Sequence, residues 1–172
     1  KISMDTNIRT ITKKKKRTLI FSLVYYPRFV GGAEVAVKEI TDRLGSDFEF
    51  DMVTLRKDAL KYERIGNVNI YRVGFGWRAG SHPLLRRFKI YKYFFPFFAL
   101  IKARSLHREN KYDAIWSIMA NYAGFGAVFF KMLNPKIPFI LTLQEGDPIL
   151  YIKKRVGMLH PLFKKIFTRA DL

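Results

Sequence analysis

The chain has 172 residues, a length that fits one domain with a single sizeable hydrophobic core. Because 49% of its residues are hydrophobic, a disordered polar chain is excluded, and the absence of cysteine excludes disulfides and thiolate metal sites. Thirty-two Lys and Arg against 14 Asp and Glu give a net charge of +18. We therefore expect an anionic partner: nucleic acid, membrane lipid or a phosphorylated substrate.

The first residues are polar and lead into a run of four lysines and one arginine at positions 13–17. This segment has no hydrophobic period, so it predicts a disordered basic arm over residues 1–16 and a single domain over 17–172. It also lacks the apolar core of a signal peptide. No stretch reaches the ~18 consecutive apolar residues of a membrane-spanning helix. These features favour a cytoplasmic protein.

The first half of the domain contains three predicted strands and one helix. A continuous apolar run over residues 18–24 is typical of a central parallel strand. Residues 33–44 have one apolar face and charged pairs opposite it, which predicts a helix. Its expected core residues are Ala33, Val37, Ile40 and Leu44, and its expected ion pairs are Glu34 with Lys38 and Glu39 with Arg43. Strands are predicted over residues 48–55 and 67–73, with a polar stretch between them.

The second half continues the alternation. Residues 84–110 are basic and aromatic and predict a helix that Pro96 kinks or divides. A strand over residues 112–118, a helix over 122–133 and a strand over 137–143 follow. A last helical region covers residues 149–167, and residues 170–172 look like the start of another strand. Strands that alternate with helices predict an α/β fold with a doubly wound, mainly parallel sheet and helices on both faces.

In such a sheet, ligands bind beyond the carboxyl ends of the strands. The first loop there places Gly31 and Gly32 before a helix, where backbone N–H groups could bind a phosphate, although a tight turn without a ligand is the alternative. The loop after the strand at 112–118 contributes Asn121 as a candidate substrate-binding residue.

The loop after the strand at 137–143 adds three more candidates, Gln144, Glu145 and Asp147. The two carboxylates could accept sugar hydroxyls or transfer a proton, and Asp147 could equally cap the next helix. No catalytic residue is assigned. The three histidines have no ligand spacing, so no metal site is expected.

The segment 84–111 contains eight Lys or Arg and a single acidic residue, Glu109. A basic amphipathic helix with an aromatic face can lie in a membrane interface, while core packing of the aromatic residues is the alternative interpretation. A second basic cluster occupies the last helical region. The residues expected to contact an anionic membrane are Arg86, Arg87, Lys89, Lys92, Phe94, Phe95, Lys153 and Lys154.

The order of these features resembles the N-terminal domain of retaining family 4 glycosyltransferases of the GT-B fold. The matching segments are the first strand with Tyr26-Pro27 and the sequence GGAE at positions 31–34, followed by residues 111–116, 137–143 and 168–172. The resemblance implies a Rossmann-like half of a two-domain enzyme that transfers a hexose from a nucleotide-sugar donor, without a cofactor. It also implies a sugar, lipid-linked or cell-envelope polysaccharide acceptor and a peripheral location at the cytoplasmic face of the membrane.

In that family the glycine loop approaches the donor diphosphate, which implies this role for Gly31 and Gly32. The donor nucleotide is bound mainly by a C-terminal domain that carries paired glutamates and has no counterpart in this chain, so the chain alone is predicted to be inactive. Gln144 stands where many members have a histidine. A glutamine can hydrogen-bond a sugar hydroxyl but cannot exchange a proton near neutral pH.

Two other classes compete with this interpretation. The charge and the interleaved aromatic residues also suit a nucleic-acid-binding module, although the sequence has no RNP, KH or helix-turn-helix signature. A nucleotide-sugar epimerase or dehydrogenase domain is disfavoured because the Gly-x-Gly-x-x-Gly turn is missing.

Overall fold

The computed structural model describes residues 14–57, 59–75, 91–143 and 160–172. In these ranges the strands are β1 (Lys16–Phe21), β2 (Phe48–Leu55), β3 (Tyr62–Ile65), β4 (Val68–Val73), β5 (Ala114–Ile118) and β6 (Phe139–Thr142). The helices are α1 (Gly32–Arg43), α2 (Tyr91–Asn110), α3 (Tyr122–Leu133) and α4 (His160–Thr168).

The strands form one sheet in the order β3-β4-β2-β1-β5-β6. Every neighbouring pair is parallel except β3 and β4, which are antiparallel. From β1 the chain builds the sheet outward through β2 and β4, then returns and builds in the other direction through β5 and β6. This reversal is the mark of a doubly wound sheet, and it confirms the predicted fold class.

Two cores cover the two faces of the sheet. Along β1, Leu19 and Phe21 face one core, while Ile20 between them faces the other. The first core packs against α2, α3 and α4, and the second packs against α1 through residues such as Val37. A strand covered on both faces must be apolar at successive positions, which explains the unbroken hydrophobic run of β1.

The polar stretch between the second and third predicted strands contains a strand that the sequence analysis missed. β3 pairs with β4 in a hairpin whose turn contains Gly66, with φ of 55°. β3 lies at the edge of the sheet and buries no residue, since its side chains are half-buried or exposed. Its sequence YERI therefore lacks the hydrophobic pattern by which a strand is predicted.

The predicted core face of α1 is partly wrong. Ile40 and Leu44 are exposed, whereas Glu34 and Thr41 are buried beside Ala33 and Val37. The Glu39–Arg43 ion pair forms as expected, but Lys38 pairs with Asp42 instead of Glu34. The buried face is rotated toward Glu34 because that carboxylate accepts a hydrogen bond from Gly31 N–H at the start of the helix.

Helix α2 is continuous through Pro96, so the proline does not divide it. Phe95 is 0% exposed and packs in the core, which removes it from the expected membrane contacts. The reason is helical spacing: the core stripe of α2 is Phe95, Ala99, Ala103 and Leu106. Phe94 lies off this stripe and is exposed.

The ends of several predicted elements shift. β1 begins at Lys16, inside the expected arm, and ends at Phe21 rather than at residue 24. Residues 170–172 run beside β6, where Asp171 N–H donates to Phe139 O and Leu141 N–H donates to Leu172 O. The Asp171 carboxylate also accepts from Lys131 Nζ at 2.7 Å and from Phe139 N–H at 2.8 Å. These bonds hold the segment after α4 against the edge of the sheet.

Candidate functional site

The candidate site lies at the carboxyl edge of the sheet between β1 and β5. Here the chain connections leave in opposite directions, because β1 continues into α1 on one face and β5 continues into α3 on the other. The two loops therefore separate and leave a crevice, which is where doubly wound sheets bind their ligands.

The loop after β1 ends in the glycine pair, and its geometry is set by a buried carboxylate. Gly31 is the N-cap residue of α1, and its N–H donates to Glu34 Oε2 at 3.0 Å. Glu34 is only 4% exposed. Since glycine has no side chain, this is one half of a capping box, and the positive end of the helix stabilises the buried negative charge.

The two loops line an open cavity of about 550 Å³, within the ~300–1,000 Å³ of typical ligand sites. Its walls are mainly apolar, with one carboxylate and one amide. None of the described residues that line it is Lys or Arg. Its lining includes Phe29, Gly31, Gly32, Glu34, Met119 and Asn121.

The two glycines differ in what a side chain would meet. A Cβ atom on Gly32 would have no atom within 4 Å, so a side chain there would extend into open space. A Cβ atom on Gly31 would lie 2.7 Å from Glu34 Oε2, so the carboxylate would have to move. Gly31 is therefore required by the Glu34 cap, whereas Gly32 is not required by the fold.

The loop after β5 presents Asn121 to the same cavity. Its Oδ1 accepts from Ala123 N–H at 2.8 Å, so Asn121 is the N-cap of α3. Its Nδ2 lies 3.8 Å from Met119 Sδ, a weak acceptor. Met119 has φ of 69°, a left-handed conformation that costs free energy for a residue with a Cβ atom and is often found at binding sites.

A buried arginine anchors the loop that leads to the glycines. Arg72 on β4 pairs with Glu63, and its Nη2 also donates to Tyr26 O at 3.3 Å. Arg28 Nη1 donates to the same Glu63 carboxylate at 3.0 Å. A buried arginine must be paired to offset its desolvation, so this cluster fixes residues 26–28 to the sheet and thereby positions the glycine pair.

The structure brings Gly31, Gly32 and Asn121 together in one cavity, as the sequence analysis expected of residues at one sheet edge. Gln144, Glu145 and Asp147 lie outside the described residues. The strand that precedes them ends at the same edge, and Met119 N–H donates to Thr142 O at 2.9 Å.

Glu34 and Met119 are site residues that the sequence analysis missed. The spacing of Gly31 and Glu34, three residues apart at a helix start, is the capping-box signal that could have identified Glu34. Met119 carries no such signal, because its conformation depends on the tight β5–α3 connection.

Among the residues expected to contact a membrane, Lys92, Phe94 and the buried Phe95 are described and lie on α2. Lys92 Nζ is 5.5 Å from the ring centre of Tyr93 and 5.3 Å from that of Tyr122. Arg86, Arg87, Lys89, Lys153 and Lys154 lie outside the described residues. Over the described ranges, no helix is long and apolar enough to cross a membrane, and no three His, Asp or Glu side chains group as a metal site.

Comparison with known proteins identifies the fold. No family model matches the sequence, and no curated protein matches it significantly. The structure is similar to sucrose-phosphate synthase from Thermosynechococcus elongatus, with a TM-score of 0.59 and 14% identity over 92% of this chain and 41% of that protein. It is also similar to α,α-trehalose 6-phosphate synthase from Burkholderia multivorans, with a TM-score of 0.55 and 15% identity over 91% of this chain and 38% of that protein.

Both neighbours are glycosyltransferases of the GT-B fold, so the expected GT-B type of α/β domain is confirmed as a fold. This chain spans about two-fifths of the length of each neighbour.

Proposed function

We propose that this chain is the acceptor-side half of a GT-B glycosyltransferase of the retaining family 4 type. In this proposal the complete enzyme transfers a hexose from a nucleotide-sugar donor to a sugar, lipid-linked or polysaccharide acceptor. The observation that carries the proposal is the cavity at the switch point of the sheet, lined by the glycine loop and the Asn121 loop. The likeness in fold to two sugar-phosphate synthases supports the same class of reaction.

Within this cavity the glycine loop would face the donor diphosphate. Gly31 N–H already donates to Glu34, so the N–H groups that a phosphate would meet are those of Gly32 and Ala33 in the first turn of α1. These groups have no carbonyl acceptor within the helix, and the helix dipole favours an anion at this end. The open space at Gly32 lets a phosphate approach the backbone closely.

The polar groups of the cavity suit the hydroxyls of an acceptor sugar. The Glu34 carboxylate accepts hydrogen bonds, and the Asn121 amide can donate them. Gln144 and Glu145 would add to this set, because the preceding strand ends at the same edge. The apolar walls lower the local dielectric beside the acceptor, which would strengthen each of these hydrogen bonds.

The proposal assigns the donor pocket to a second domain, since this chain corresponds to about two-fifths of each neighbour. That domain would close over the carboxyl edge of the sheet. We also propose that the enzyme lies at the cytoplasmic face of a membrane, because the surface of α2 is basic. The proposal includes no cofactor, because the nucleotide sugar is itself the substrate that carries the leaving group.

The test uses the full-length protein and a panel of nucleotide sugars, with transfer measured by release of the nucleotide. Gly32→Val should lower kcat/KM at least tenfold, about 1.4 kcal/mol of transition-state stabilisation, because the valine would fill the space that the phosphate needs. Its melting temperature should stay within a few degrees of the wild type, since a Cβ atom at this position has no protein atom within 4 Å.

Glu39→Val is the matched control. It places the same side chain on an exposed position of α1 away from the cavity, and it should leave kcat/KM within twofold. Absence of transfer from every nucleotide sugar would contradict the proposed class. Full activity of a folded Gly32→Val protein would remove the glycine loop from the donor site.

A further inference from the structure

A second cavity, of about 370 Å³, lies between α2 and the carboxyl ends of β2 and β4. We call it the basic cavity, because its wall includes Arg56, Lys61, Arg72 and Lys102. It shares no lining residue with the cavity at the glycine loop. Its volume lies at the lower end of the ~300–1,000 Å³ of typical ligand sites, so it suits a small group.

The charge of this cavity is strongly positive. No acidic side chain is found among the described residues of its wall. Arg72 pairs with Glu63, and Arg56 Nη2 donates to Ala59 O at 2.7 Å. Lys61 and Lys102, whose Nζ lies 4.5 Å from the ring centre of Tyr71, are the cations proposed to attract an anion, with Ser105 as a hydroxyl donor beside them. Several cations and a hydroxyl around one space are the groups that bind a phosphate oxygen cluster.

The other wall of the cavity is apolar. It consists of Phe98 and Ile101 of α2, and Ile101 is 66% exposed. Phe75 packs edge-on against Phe98, with ring centres 4.8 Å apart, and is itself exposed. A hydrophobic surface that continues outward from a basic cavity fits a ligand whose anionic head is attached to an apolar chain.

The exposed side of α2 extends this surface. Phe94 and Phe97 precede Ile101 by seven and four residues, so the three side chains follow one side of the helix, and all are more than half exposed. Aromatic residues in this setting insert into the interface of a bilayer. A lipid in that bilayer would present its phosphate at the level of the neighbouring cations.

From these observations we propose that the basic cavity binds the phosphodiester headgroup of an anionic phospholipid while the exposed side of α2 contacts the bilayer. Lys61 and Lys102 would pair with the phosphate, and Phe98 with Ile101 would contact the start of the acyl chains. The inference deepens the membrane part of the proposed function, and it does not depend on sugar transfer.

The experiment measures binding of dihexanoyl phosphatidylglycerol, below its micelle concentration, to the full-length protein by calorimetry. Inorganic phosphate, dihexanoyl phosphatidylcholine and a single-stranded oligonucleotide are the comparison ligands. The double variant Lys61→Gln/Lys102→Gln is compared with Arg104→Gln/Arg108→Gln. The control variant loses the same charge on exposed residues of α2 outside the cavity.

We expect the cavity variant to bind the phosphatidylglycerol at least tenfold more weakly, and the control variant to stay within twofold of the wild type. Equal losses in both variants would show that only the net charge matters and would overturn the proposal. So would phosphate binding as tightly as the lipid, or the oligonucleotide binding more tightly than the lipid.

Sedimentation with vesicles of phosphatidylglycerol and phosphatidylcholine, and with pure phosphatidylcholine, separates this inference from the proposed function. Wild-type binding to the anionic vesicles with no effect of the cavity variant would refute the cavity and leave membrane association intact. Sugar transfer without any vesicle binding would refute the membrane part alone.

Discussion

The two cavities of this domain lie at the same carboxyl edge of the sheet but are built from different groups. The cavity at the glycine loop presents backbone and one buried carboxylate, held by a 3.0 Å hydrogen bond to Gly31 N–H. The basic cavity presents long cationic side chains beside exposed aromatic rings. The first cavity is defined by backbone groups and a buried carboxylate, whereas the second is defined by the side chains of Arg56, Lys61, Arg72 and Lys102.

This difference indicates two kinds of recognition. Groups fixed by the backbone select a ligand by shape and hydrogen-bond direction, as a sugar acceptor requires. Lysine ammonium groups select by charge and tolerate several orientations, as the proposed lipid headgroup would require. The cationic side chains of the basic cavity are also separate from the described wall of the cavity at the glycine loop, where none of the lining residues is basic.

The largest expected effect concerns α2, which forms the outer wall of the basic cavity. Phe95→Ala should destabilise the protein by about 3–5 kcal/mol, because Phe95 is 0% exposed and its removal leaves a void in the core. Phe97→Ala, on the same helix but 58% exposed, should change stability by about 0.5 kcal/mol or less. Urea unfolding of both variants measures the difference.

Equal losses at these two positions would mean that both sides of α2 are buried in solution. The exposed side would then be covered by another part of the protein, and it would not be free for a bilayer.

A smaller effect is expected at the glycine loop, where the carboxylate is the fixed group. Glu34→Ala should cost about 1–2 kcal/mol of stability, since it removes the partner of Gly31 N–H and the charge at the helix start. Glu34→Gln keeps an acceptor oxygen and should cost only the charge–dipole part, about 0.3–1 kcal/mol. Thermal unfolding of both variants tests this order.

If Glu34→Gln were as destabilising as Glu34→Ala, the charge rather than the hydrogen bond would hold the loop. If neither variant lost stability, Glu34 would not be a structural cap, and its burial would then point to a role in ligand binding alone.

Sequence patterns predicted most of the fold because the buried strands have clear signals. The run that became β1 is apolar at successive positions, as a short strand covered on both faces requires. β3 could not be predicted in the same way. An edge strand is held by backbone hydrogen bonds, which impose no hydrophobic pattern on its side chains. Phe95 shows a related difficulty: a stripe of aromatic residues wider than one helix face does not reveal which members face the core.

The candidate site was predictable where backbone chemistry determines it. Gly31, Gly32 and Asn121 follow the carboxyl ends of two strands, and strand order alone brings them together. Glu34 was missed because a charged residue on a predicted helix is expected on the solvent side. Glu34 is buried where it accepts the hydrogen bond from Gly31 N–H. A hydrophobic pattern does not predict a contact of this kind, because it involves a backbone group and a carboxylate.

The smallest expected effect is a pH dependence of α2, which supports the wall of the basic cavity. Burial lowers the pKa of His107 from its ordinary value of 6.5, and the nearby charge of Lys111 lowers it further. Its Nδ1 accepts from Tyr112 N–H at 3.0 Å, which is possible only in the neutral form. The unfolded chain therefore binds this proton more readily than the folded protein does.

The free energy of unfolding is therefore unaffected by His107 above pH 6.5. It decreases as the pH falls below that value, because the unfolded chain then takes up the proton first. Between pH 8 and pH 5.5 we expect the melting temperature to decrease by a few degrees. His107→Gln, which retains an acceptor for Tyr112 N–H, should remove most of this decrease, whereas His160→Gln, at an exposed position of α4, should retain it. A wild-type slope in His107→Gln would show that the proton binds elsewhere. In that case protonation of His107 would not be what weakens the end of α2 next to β5 at low pH.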